Sequence, residues 1–117
     1  MAKNAFLAKL DAEKRACFRA GLETGRQQII DMMCCVLHDA DYVGKDTFGK
    51  ERLLKVVKGL SDYLDKFDPA FNCNDEADYY QSKFDNLLRK IFGGLADDFS
   101  VRYPYCKEFD YIKGKWK

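Results

Sequence analysis

"IIDMMCCVL", residues 29 to 37, decides how the rest of the chain is read. Eight of its nine residues are apolar, so a helix drawn through it keeps no clean polar face. A helix that is apolar nearly all round belongs inside a protein, packed on every side by other helices. On this reading the fold is all-α, a compact bundle of about four helices with residues 25 to 40 at its centre. Met32 and Met33 then act as adaptable core fillers, or alternatively line a Met-rich binding groove.

Upstream, residues 4 to 20 read as a helix whose apolar stripe is Phe6, Leu7, Leu10, Cys17 and Phe18. Gly21 and Gly25 interrupt the pattern. Thr24 followed by Gln27 fits a capping box that would start the second helix. Sequence alone leaves open whether the two helices join into one rod.

Downstream, residues 50 to 67 give the clearest helix. Leu53, Val56, Val57, Leu60, Tyr63, Leu64 and Phe67 recur at steps of three and four. Glu51–Lys55 and Asp62–Lys66 place acid before base at i,i+4 spacing. Gly59 weakens the middle and Pro69 ends the helix. After a loop over 68 to 75, Asn74 or Asp75 is placed to cap a fourth helix over 75 to 92. Its apolar side is Ala77, Tyr80, Phe84, Leu87, Leu88 and Ile91, and Gly93 and Gly94 stop it.

The remaining tail, 95 to 117, changes character. Six aromatics fall within residues 99 to 116, interleaved with Arg102, Lys107, Lys113, Lys115 and Lys117, and Pro104 blocks a continuous helix. The expectation is a helical turn near 96 to 100 followed by an extended aromatic segment laid across the bundle. Arg102, Tyr103, Tyr105, Lys107, Tyr111, Lys113 and Trp116 are the candidate binding residues. Aromatic and arginine side chains anchor protein interfaces, and aromatics among cations also stack on nucleic-acid bases.

The connection "HDADYVGKDTFGKERL", residues 38 to 53, imitates a calcium loop. Asp39, Asp41 and Gly44 fall at the first, third and sixth positions of an EF-hand. The fifth position, however, is Val43, and Lys50 stands at the twelfth, where a bidentate carboxylate is required. The stretch is therefore read as a turn between helices, with Asp46 or Thr47 capping the third helix and no metal site. His38, the sole histidine, has no evident catalytic partner and reads as a capping or packing residue.

Composition narrows the classes. A 117-residue chain fits one domain that can bury a core without staples. The five cysteines cannot all pair, and no C-x-x-C occurs, so buried free thiols are expected. No apolar run approaches the roughly 20 residues of a membrane span, and residues 1 to 10 lack a signal-peptide core, so the expected location is cytoplasmic with no membrane partner. P-loop, G-x-G-x-x-G, H-E-x-x-H and G-x-S-x-G motifs are absent, and the expectation is a non-enzyme without cofactor. The net charge of +1 is unevenly spread: residues 1 to 30 carry six basic against three acidic residues, residues 102 to 117 five against two, and the middle nine against fourteen. Basic termini make nucleic-acid binding an alternative function.

"LHDADYVGKDTFGKERLLKV" resembles a pattern in small proteins of unknown function encoded by phages and prophages of Gram-positive bacteria. The matching residues are Leu37, His38, Asp39, Phe48, Gly49, Arg52 and Leu53, and "DEADYYQSKFDNLLRKIFG" followed by "FSVRYPY" is similar to the later part of some members. The chain departs from the pattern by extra residues between Asp39 and Phe48. The resemblance implies an accessory protein of a mobile element, located in the bacterial host. Such proteins act by binding a host protein, including inhibition of defence nucleases (an anti-CRISPR role), or serve as structural, self-assembling phage components.

Overall fold

A computed structural model describes residues 2–71, 75–110 and 114–116. The chain is mostly helical and falls into two compact units, Met1–Tyr63 and Leu64–Lys117. Five α-helices and one short hairpin occur among the described residues.

The first unit begins with α1 (Ala2–His38), a single helix of 37 residues. The two helices expected over 4–20 and 25–40 are therefore continuous. Two glycines cost on the order of 1 kcal/mol each, and no proline accompanies them, so neighbouring Ala, Leu, Arg and Gln residues carry the helix through. The Thr24 capping box does not form a helix start. Gln27 instead donates along the helix to Asp31, its Nε2 lying 2.8 Å from Oδ1.

Residues 25–40 do not form the buried centre expected of them. Ile30, Met33, Cys34 and Leu37 are half-buried, but Ile29 is 68% exposed, Met32 57% and Val36 44%. The run is apolar all round, yet the chain covers only one side of it. The thiols depart likewise from expectation: Cys17 and Cys35 are exposed and Cys34 is half-buried, leaving Cys106 as the buried one among those described.

A short helical turn, α2 (Ala40–Val43), follows where a plain turn was expected. Asp39 is its N-cap, accepting the Asp41 N–H at 2.9 Å. Gly44 ends it at φ 77°, a conformation that favours glycine. The amphipathic α3 (Lys50–Phe67) has the limits its periodicity indicates. Gly49 flanks its first turn, so Asp46 and Thr47 lie too far upstream to cap it. Leu53, Val56, Val57 and Leu60 form its half-buried side.

In the second unit α3 runs into a 3-10 turn, Asp68–Phe71, and α4 (Ala77–Phe92) follows. Asp75 lies in a turn ahead of α4, and the flanking Glu76 makes no side-chain capping bond; the alternative cap, Asn74, lies outside the described residues. Gly93, at φ 60°, ends α4 and begins a second 3-10 turn through Leu95. Then come α5 (Phe99–Arg102) and the antiparallel strands β1 (Phe109–Asp110) and β2 (Lys115–Trp116). The expected extended tail is thus a helix, turns and a hairpin. Pro104 stands two residues beyond α5, where the helix has already stopped.

The core of this unit is aromatic. Ala70, Phe99 and Cys106 are buried together, with Phe71, Tyr80, Phe84 and Tyr103 packed around them. Phe67 stacks on Phe84 with ring centres 4.8 Å apart, and Phe71 meets Tyr103 edge-on at 4.9 Å. Such pairs add about 0.5–1.5 kcal/mol beyond simple burial, which helps a unit with few fully buried residues.

Candidate functional site

The residues proposed from sequence separate into two groups. Arg102 and Tyr103 turn inward. Arg102 Nη1 donates to Asp85 Oδ1 at 2.9 Å, with the two side chains only 20% and 13% exposed, and it also donates to the Asp97 carbonyl. The other carboxylate oxygen of Asp85 accepts the Phe99 N–H at 3.1 Å, so one α4 side chain both anchors Arg102 and holds the start of α5.

The Arg102 guanidinium lies 5.0 Å from the Phe84 ring centre, with Phe99 and Tyr103 within 6 Å. Its buried Nη2 has no hydrogen-bond partner. The ring faces around it supply electrostatic attraction in place of an acceptor. Tyr103 packs on Phe99 at 4.7 Å. Both residues are structural ties within the unit rather than projecting anchors.

Tyr105 and Trp116 turn outward, at 59% and 61% exposed. Their rings meet edge-to-face, 6.2 Å between centres and 83° apart. The hairpin sets this up. Phe109 pairs with Trp116 in register, and its half-buried ring buttresses the indole edge-on at 5.1 Å. Gly114, at φ 66°, donates its N–H to the Asp110 carbonyl at 2.7 Å and turns the chain back. Lys107 and Lys115 are exposed on the same segment. Tyr111 and Lys113 lie outside the described residues.

Lys107 also borders an open polar recess of about 560 Å³ between α4 and α5. Two of its charges, Arg89 and Asp98, are paired with each other, and Arg89 also donates to Asn86. Its lining is carboxylate, amide, hydroxyl and cation, with neither histidine nor thiol among it. Among the described residues no group of three His, Cys, Asp or Glu side chains is placed to hold a metal ion, and no helix is long and apolar enough to cross a membrane.

Sequence reasoning missed Asp85. Its partners are 14 and 17 residues away, and no local spacing rule signals such a tie. Comparison with family models, curated proteins and solved structures returns no match.

Proposed function

We propose that this chain is a non-enzymatic binding protein that docks a host protein through the Tyr105–Trp116 pair. The observation that carries this reading is the pairing itself: two large aromatic rings held edge-to-face, backed by Phe109, and left exposed beside Lys107 and Lys115. Rigid aromatic side chains with a polar rim are the usual anchors of protein interfaces, because they bury much area for little conformational entropy. The resemblance of residues 37–53 to phage-encoded accessory proteins points the search for the partner toward bacterial defence complexes, with nuclease inhibition as the activity to assay.

The inward turn of Arg102 favours a protein partner over a nucleic acid, since it takes a central cation out of contact with solvent phosphate. The test is capture from bacterial host lysate with the full chain, alongside Tyr105→Ser/Trp116→Ser. A stoichiometric protein held by the wild type and lost by the double variant supports the proposal. Equal capture by both, or a nucleic acid in place of a protein, overturns it.

A further inference from the structure

The exposed apolar residues of α1 are not scattered. At 100° per residue, Leu7, Ile29, Met32 and Val36 lie within about 60° of one another around the helix, on a stripe about 44 Å long. Ile29, Met32 and Val36 alternate by three and four, the spacing that seats one helix along another. The half-buried residues Ile30, Met33, Cys34 and Leu37 occupy a neighbouring face, so the stripe is separate from the side covered within the chain.

Charge says what covers it. Residues 2 to 19 carry five basic side chains (Lys3, Lys9, Lys14, Arg15, Arg19) against Asp11 and Glu13, a net of +3. Residues 20 to 43 carry Glu23, Asp31, Asp39 and Asp41 against Arg26 alone, a net of −3 with His38 neutral. A second α1 laid parallel would set like against like along its whole length. Laid antiparallel, each basic half meets the acidic half of the other copy, and two-fold symmetry makes the match twice.

We propose that this chain forms an antiparallel dimer along the Leu7–Val36 stripe of α1. With Leu7 opposite Val36 of the second copy, Lys3 falls opposite Ala40, between Asp39 and Asp41, and Arg19 falls beside Glu23. The same register sets Lys14 opposite Ile29 and Asp11 opposite Met32. The stem of Lys14 can cover Ile29 while its ammonium reaches water. Polar groups within an apolar seam cost affinity but select one register.

Sedimentation equilibrium and crosslinking of the full chain test this. The wild type is expected as a dimer at about 100 µM, dissociating at least tenfold more readily in about 0.5 M than in about 0.05 M salt. Ile29→Asp/Val36→Asp is expected to weaken association roughly 100-fold with helical circular dichroism unchanged, because both positions are already exposed in the single chain. With Cys17 and Cys35 replaced by Ala, copper-phenanthroline oxidation is expected to join Leu7→Cys chains to Val36→Cys chains in a mixture, and neither variant to itself. A monomeric wild type overturns the dimer. Self-crosslinking of Leu7→Cys overturns the antiparallel arrangement, and association indifferent to the Asp substitutions removes the stripe from it.

Discussion

His38 and Phe48 are bonded to each other across the link between α1 and α3: His38 Nδ1 lies 2.7 Å from the Phe48 carbonyl oxygen. A carbonyl can only accept, so Nδ1 carries the hydrogen. The neighbouring Phe48 N–H donates to the Leu37 carbonyl at 2.9 Å, satisfying an acceptor at the end of α1 that has no partner further along the helix. Arg52 closes the arrangement, its guanidinium 3.8 Å over the Phe48 ring. Leu37, His38, Phe48 and Arg52 are among the residues shared with the phage-type pattern. Their roles here are structural, and Asp39, which suggested calcium, is the cap of α2.

Replacing His38 should therefore loosen this link without touching a binding surface. His38→Ala is expected to cost about 1 kcal/mol, the net value of one hydrogen bond at a solvent-exposed site. His38→Asn, whose amide N–H2 can stand where Nδ1–H stood, should recover most of it. Urea unfolding of the three proteins decides the matter, and equal stability of wild type and alanine variant would remove the side chain from the account.

Two glycines should respond in opposite directions to alanine. Gly44 sits at φ 77°, which a Cβ makes unfavourable, so Gly44→Ala should destabilise by about 1–2 kcal/mol. Gly59 lies inside α3 with nothing within 4 Å of where its Cβ would stand. Gly59→Ala should stabilise by about 0.4–1 kcal/mol, because it narrows the unfolded ensemble and suits the helix. Thermal melts followed at a helical wavelength would show a lower midpoint for the first and a higher one for the second.

The contrast between those glycines and the pair in α1 shows how far the sequence reaches. Local rules place α3 to the residue, since its apolar period, Pro69 and the polar connection before it all agree. They place the end of α4 equally well through Gly93. They do not decide that Gly21 and Gly25 stay helical, because a modest propensity cost competes with the whole length of a 37-residue helix. Burial is less legible still. Whether "IIDMMCCVL" lies inside depends on how much of the chain is available to cover it, and Ile29, Met32 and Val36 remain uncovered. In the C-terminal segment the residue types were legible as anchors, but the choice between Arg102 inward and Trp116 outward rests on Asp85, contributed by another helix.

Thiol accessibility gives a direct reading of these exposures. Brief treatment of the native protein with iodoacetamide, followed by peptide mass mapping, should label Cys17 and Cys35 first, Cys34 more slowly and Cys106 only after denaturant is added. Cys35 belongs to the apolar run, so its rate separates an exposed α1 from one packed inside a bundle. Labelling of Cys35 as slow as that of Cys106 would place the run in the interior and contradict the exposed stripe.

The Asp85–Arg102 tie supplies the most demanding test of the second unit. Asp85→Ala deprives both the Phe99 N–H and the Arg102 guanidinium of an acceptor in a half-buried setting, and should cost about 2 kcal/mol. Asp85→Asn keeps an oxygen able to accept from Phe99 but removes the charge facing Arg102, so its cost should be roughly half as large. Arg102→Met keeps apolar volume against Phe84 and Phe99 and removes the cation. In a double-mutant cycle, Asp85→Ala should then cost less on the Arg102→Met background than on the wild type, with a coupling of about 1 kcal/mol. Additive losses would mean that the two side chains act independently and that α5 is held by its aromatic contacts alone.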